Sequence, residues 1–269
     1  MDATIDHALL MSDEPEAVER LQPRRASALF IHCDHGANKV PARLKNLGLE
    51  NDVLDRHVGW DIGAAAVTRE LSVHLNAAAV IARYSRLVID LNRALGDPET
   101  IPSLSDGIAI PRNAGLTAAQ ITTRANALFW PYHKAIDEEL AHLKTRGQVP
   151  IILSIHSFTP ALMRAEVAQA RPWHCGVMYS RDTRFGDHLI KALRAVPGMV
   201  VGVNEPYSGT THGYCLKVHG LAQGLPHAQI EIRQDLICTP LGQKWWGHLL
   251  SGLIAPILAQ PDLAEIRHY

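Results

Sequence analysis

The chain has only four cysteines, Cys33, Cys175, Cys215 and Cys238, and no two of them form a C-x-x-C pair. Their spacing fits neither a zinc knuckle nor a dense disulfide framework, so free buried thiols are the expected state. No charge excess exists either: the formal net charge is -1, and nucleic-acid or membrane-surface partners would show as a basic excess. No uncharged apolar run approaches the ~20 residues that span a bilayer. The opening MDATIDHALLMSDEPEAVERL lacks a basic stretch followed by an apolar one, so no secretory signal is read and the expected compartment is the cytoplasm. A G-x-S-x-G elbow is also missing, which argues against a serine hydrolase built on Ser154 or Ser157.

What remains is an ordinary globular balance, 47% hydrophobic and 20% charged over 269 residues. That length buries a large core and sits near the upper limit for a single one. No internal repeat, low-complexity tract or long linker interrupts it. One domain over residues 1–269 is expected, with residues 1–25 as a polar, mobile arm. Such a chain suits a small-molecule partner. Fifteen histidines are the compositional oddity, and they invite a search for a metal or proton-transfer site.

The apolar runs alternate between strand-like and helix-like. ASALFIHCDH, AAAVIARYS, RLVIDLNR, VPIILSIHS, WHCGVMYS, MVVGVN and AQIEIR read as strands. VLDRHVGWDIGAAAVTRELSVHL reads as a helix ending near Leu75, and FGDHLIKALRAV and LGQKWWGHLLSGLIAPILAQ as two more. Between them, AGLTAAQITTRANALFWPYHKAIDEELAHLKTRG carries a Thr117-to-Gln120 capping pattern and a stop at Gly147, with Pro131 set to break or kink it. Residues 94–115 hold Gly and Pro at short intervals and read as a long functional loop. Strands alternating with helices imply a three-layer α/β domain around a mostly parallel or mixed sheet. Ligands in such sheets bind at the carboxyl ends of the strands.

Those ends carry polar residues: Asp34-His35-Gly36-Ala37-Asn38, Asn92-Arg93, His156-Ser157, and Glu231 with Arg233. Brought to one edge, they offer two imidazoles for a metal ion, a carboxylate to take a proton from water, and an arginine for an anionic substrate. His156 ends a buried strand, where an imidazole needs a partner. Glu231 lies in an apolar strand, where an unpaired carboxylate is costly; an ion pair with Arg233 is the structural alternative. Asp90 reads as a structural partner of Arg93. His32, His57, His133, His174, His212 and His219 have no spacing that recommends them. Trp245 and Trp246 read as packing residues.

The segments DHGANKVP (34–41), HVGWDIGA (57–64), SRLVIDLNR (85–93), SIHSF (154–158) and QIEIRQDLI (229–237) together resemble the N-formylglutamate amidohydrolase family, within the zinc carboxypeptidase-like superfamily (phosphorylase/hydrolase-like fold). The resemblance implies a zinc-dependent hydrolase of small N-acyl amino acids, with N-formyl-L-glutamate as the substrate giving formate and glutamate. It implies one Zn2+ per chain on His35 and His156, Glu231 as the base that activates water, and Asn92 and Arg93 on the substrate α-carboxylate. Arg86 is expected to steady the transition-state oxyanion or clamp an anion; Arg112 and Asn113, from their place after the Gly- and Pro-rich loop, are read as substrate contacts. The sequence departs from the superfamily at Asn38, where a glutamate ligand is usual. Asp61 is the preferred replacement and Asp34 the alternative. A deacylase or peptidase acting on another N-acyl amino acid, and a metal-free amino-acid-binding protein, remain open on these residues.

Overall fold

The computed structural model describes residues 8–23, 27–164 and 167–269, with backbone only at 163, 164, 167 and 168. Its strands are β1 (Val18–Leu21), β2 (Leu29–Cys33), β3 (Ala78–Ala82), β4 (Leu104–Ser105), β5 (Ile108–Ala109), β6 (Ile151–Phe158), β7 (Ala161–Arg164), β8 (Val167–Ala170), β9 (Cys175–Met178), β10 (Val201–Val203) and β11 (His227–Arg233). The helices are α1 (Asn51–Leu54), α2 (Ala64–Leu75), α3 (Ala118–Arg124), α4 (Trp130–Thr145), α5 (Arg184–Arg194) and α6 (Pro240–Ile257). Seven strands form one mixed sheet in the order β1-β3-β2-β6-β11-β9-β10. β3, β2, β6 and β11 run parallel, while β1 and β9 are antiparallel to their neighbours β3 and β11. Two ribbons, β4-β5 and β7-β8, stand apart from it.

Both faces of the sheet are covered, which is why its central strands read as unbroken apolar runs. Leu29, Ile31, Leu153, Ile155, Ile230 and Ile232 pack against α2, α5 and α6. Phe30, Val80 and Ile152 pack on the other side with Tyr132, Ile136 and Leu140 of α4. This is a three-layer α/β architecture with β6 at its centre. None of the described helices is long and apolar enough to cross a membrane.

Several sequence expectations need correction. Part of the expected mobile arm is structural, since Val18–Leu21 forms the edge strand β1 on β3. The helix expected to run unbroken to Leu75 starts only at Ala64. Gly63 has φ of 83°, and a Cβ there would meet Ile237 O at 2.2 Å, so the chain turns sharply before α2 begins. Pro131 does not end its helix: a π turn at Ala125–Phe129 precedes it, and α4 continues to Thr145. Cys238 and Trp245 are exposed, whereas Cys33, Cys175, Cys215 and Trp246 are buried.

The largest departure is RLVIDLNR, which forms no strand. Leu87 to Leu91 are buried all the same, and three of their backbone carbonyls accept from side chains later in the chain. Asn113 donates to Leu87 O (2.8 Å), Arg124 to Val88 O (2.9 Å) and His133 to Leu91 O (3.1 Å). Arg124 also donates to Asn113 Oδ1 at 2.7 Å. It has no carboxylate partner among the described residues, and burial lowers its pKa to about 10. Arg124→Ala is therefore expected to destabilise the protein by roughly 3 kcal/mol, because it strands buried acceptors of charge-assisted bonds. A urea midpoint equal to wild type would show that water replaces the guanidinium.

Candidate active site

Sheet register sets the site. Glu231 of β11 lies directly opposite His156 of β6, and both occupy the sheet face that α4 covers, because Ile155, Ile230 and Ile232 take the other face. Beyond the end of β2, the chain turns through Asp34 and His35 and passes close to β3 at Gly36. A Cβ on Gly36 would meet Ile81 Cγ2 at 2.4 Å. Asp61 reaches the same place because its backbone N–H donates to His35 O at 2.9 Å.

The side chains converge accordingly. Donor atoms of His35, Asp61 and His156 all lie within 4.8 Å of one another. Asp61 Oδ2 is 2.7 Å from His156 Nδ1 and 3.6 Å from His35 Nδ1, and Arg86 donates to Asp61 Oδ1. The far nitrogens of both rings are held by other carboxylates. His156 Nε2 lies 3.1 Å from Asp34 Oδ2, and His35 Nε2 lies 2.8 Å from Asp90 Oδ1. Each imidazole thus turns Nδ1 inward and Nε2 onto a carboxylate, the orientation that metal-ligating histidines adopt. His35 Nδ1 is buried without a hydrogen-bond partner among the described residues, so one inward nitrogen is left for a ligand. These three residues could hold a divalent cation.

Asp34 stands one layer back. Its Oδ1 is 2.6 Å from His32 Nδ1 and also accepts from the Tyr132 hydroxyl. Cys215 lies close enough to complete a second donor group with His32 and Asp34, but its thiol donates to Leu91 O and burial pushes its pKa well up. That group reads as a hydrogen-bonded support. Asn38 is turned away, donating to Asp55 at 2.7 Å.

The charges follow from burial and partners. Burial alone would push the Asp61 carboxyl up, but Arg86, His156 and His35 outweigh it and hold the pKa well below the usual range. Burial opposes protonation of His156, yet Asp34 and Asp61 raise its pKa well above the ordinary value. Glu231 differs: burial pushes it up to about 7, a rise helped by Asp61 and opposed by His156, Gln229 and Arg86. Gln229 donates to Glu231 Oε1 at 2.7 Å, leaving Oε2 unpartnered among the described groups. Arg233 turns to Asp235 instead, at 2.8 Å, so the alternative of an ion pair with Glu231 is not realised. A buried carboxylate near pH 7 with a free oxygen is suited to exchanging a proton with water.

His35, Asp61, Arg86, His156, Gln229 and Glu231 line a cavity of about 490 Å³, with the stretch from Ala94 to Asp106, β4 included, forming one wall. Asn92 and Arg93 line it too. Asn92 Oδ1 accepts from Cys215 N–H at 2.9 Å, which leaves its amide nitrogen to donate. Arg93 is engaged with Asp90 (3.5 Å) and Glu99 (2.6 Å). Asp90 therefore serves both His35 and Arg93. Arg112 is not brought to the site: it is exposed, and its carbonyl accepts from Arg124. Among the described residues no imidazole bonds Ser154 or Ser157, and their hydroxyls have no partner there.

The family model for N-formylglutamate amidohydrolase matches residues 27–238, a span that includes every one of these groups. The chain belongs to that family. A Pseudomonas aeruginosa protein named N-formylglutamate deformylase is 27% identical, with 73% of each chain covered. A crystal structure of a gene product from Agrobacterium tumefaciens superposes with a TM-score of 0.86 at 32% identity, covering 93% of this chain and 98% of that one. The N-formylglutamate amidohydrolase from Ralstonia eutropha shares the fold, with a TM-score of 0.70 at 24% identity over 91% and 97% of the two chains.

Two cavity residues of this amidohydrolase-family chain escaped the sequence reading. His57 lies with Nδ1 3.7 Å from Asp61 Oδ1, and burial lowers its pKa to about 4, so it faces the site neutral. Its place at the head of the HVGWDIGA segment was the available signal. Arg171 also lines the cavity, and no motif marks it.

Proposed function

We propose that the protein is a zinc-dependent amidohydrolase that removes the formyl group from N-formyl-L-glutamate, releasing formate and glutamate. The observation that carries this reading is the His35–Asp61–His156 donor set with Glu231 facing His156 across the strand pair. Two imidazoles and a carboxylate are a common catalytic zinc set. Held by these three residues, the ion would supply Lewis acidity, polarising an acyl oxygen and bringing the ionisation of water near pH 7. The names of the family and of the Pseudomonas relative support the formyl substrate.

The remaining chemistry belongs to the side chains. Glu231 Oε2 takes a proton from the attacking water and returns it to the amide nitrogen as the C–N bond breaks. The water oxygen leaves in formate, and the amine leaves as glutamate. Arg86 spends one nitrogen on Asp61 while its Nε has no partner among the described residues, so it can donate to the charge that develops on the acyl oxygen. Asn92 and Arg93 hold the α-carboxylate, the exposed Glu99 giving way to it.

Metal content by mass spectrometry, paired with formate release before and after chelation, tests the reading. Bound zinc with chelator-sensitive formate release is the expected result. Zinc without formate release would overturn the substrate, and a metal-free protein that zinc does not activate would leave an amino-acid-binding protein.

A base that titrates gives the rate an acid limb. Glu231 works only when ionised, so kcat/KM falls about tenfold per pH unit below its pKa. That limb lies at or below pH 7, since burial sets about 7 and a nearby cation lowers the value further. Gln229→Leu removes the amide that stabilises the ionised form and is expected to move the limb to higher pH. A pH–rate profile superimposable on wild type would remove Glu231 from the base role or Gln229 from its support.

A further inference from the structure

Arg171 is buried, with 8% exposure, and lines the cavity. The two other guanidiniums there are matched: Arg86 to Asp61, and Arg93 to Asp90 and Glu99. Arg171 has no carboxylate partner among the described residues. Its Nη1 donates to Thr159 Oγ1 (3.0 Å), to Thr159 O (3.5 Å) and towards the Tyr207 hydroxyl (3.4 Å). Its Cζ lies 5.9 Å from the Phe158 ring centroid and 5.2 Å from that of Tyr207. The plane is therefore fixed by two rings and one edge. Nε and Nη2, the pair that meets a carboxylate side-on, donate to no described protein group.

A buried cation without a counter-ion is costly unless a ligand completes it. Its location names the ligand. Phe158 ends the strand that carries His156, and Tyr207 lines the same cavity as Asp61, His156 and Glu231. Arg171 thus faces the cavity that holds the reacting centre. It is also built into a different segment from Asn92 and Arg93, whose contacts lie in residues 90–99 and at Cys215. Lys217, the other cavity cation without a carboxylate among the described residues, donates to Thr210 O at the exposed rim, where water screens it.

We propose that Arg171, braced by Thr159, Phe158 and Tyr207, binds the side-chain carboxylate of the substrate and so selects N-acyl derivatives of acidic amino acids. This rests on the deformylase reading of the site and assigns the residue that reads the γ-carboxylate. N-formylglutamine is the control ligand, similar in shape and uncharged at the side chain.

The test compares kcat/KM for N-formylglutamate and N-formylglutamine in the zinc-loaded wild-type, R171Q and R171K proteins. R171Q should lose about 100-fold or more on N-formylglutamate while N-formylglutamine changes by no more than a few fold. R171K keeps the charge without the fork and should fall between, which preserves the test if R171Q folds poorly. An equal loss on both substrates would overturn the proposal, because Arg171 would then serve the α-carboxylate or the fold. If the wild type releases formate from neither, the deformylase reading fails, and calorimetric binding of the same two ligands reads the subsite directly. Preference for the glutamate ligand that R171Q abolishes would support the subsite; equal binding of both by wild type would overturn it.

Discussion

Glu231→Gln is expected to keep its metal and lose about 10³-fold in kcat/KM for N-formylglutamate, the scale of a general base. The change is nearly isosteric, and the Gln229 amide can still donate to the new side chain at the position of Oε1. What disappears is the group that accepts a proton. Stability should move the other way. The carboxyl pKa is raised by burial to about 7 in the folded chain, so its stabilising contribution is complete below the unfolded value and is lost as pH rises through 7. In the metal-free protein at pH 8 the ionised Glu231 costs about 3 kcal/mol, because each tenfold weakening of its acidity on folding is worth about 1.4 kcal/mol. The glutamine has no such cost, so metal-free Glu231→Gln should melt higher than wild type at pH 8 and equally at pH 4. Turnover near the wild-type rate would remove Glu231 from the proton transfer. A lower melting temperature at pH 8 would show that its burial is better compensated than the geometry indicates.

Asp61→Asn should lose both the metal and formate release. Asp61 is the one anionic donor of its set and is 1% exposed. An amide in its place is a poor ligand and leaves Arg86 without a counter-ion, a loss of up to about 3 kcal/mol. Asp34→Asn makes the contrast. Asp34 touches His156 through Nε2, on the side away from Asp61, so its loss should weaken metal binding only about 10–100-fold. Mass-spectrometric metal content against added zinc separates the two. An Asp61→Asn protein that keeps its zinc while Asp34→Asn loses it would make Asp34 the ligand.

The strands β2, β6 and β11 were legible because burial on both sheet faces leaves an unbroken apolar signature. Glu231 stood out for the opposite reason, as a carboxylate inside such a run. RLVIDLNR misled because its composition is that of a strand. The side chains that satisfy its backbone, Asn113, Arg124 and His133, lie well downstream and announce nothing locally. Asp61 was reached only through family resemblance: the hydrogen bond that ties it to His35 O is a tertiary contact. Arg171 left no trace in the sequence, since its setting appears only when Thr159, Phe158 and Tyr207 have assembled around it.

The pairing of Glu231 with His156 also means that the spacing between metal ligand and base is quantised. It is set by ladder hydrogen bonds between β6 and β11 rather than by flexible loops, and it can change only in whole residues, each step about 3.3 Å long. A single-residue deletion at the start of β11 would carry Glu231 out of the cavity and turn it towards α5 and α6, with Ile230 or Ile232 taking its place. An insertion or deletion that leaves the reacting pair in register belongs in a wall such as the 94–106 stretch, where the pocket can be resized without disturbing that pair.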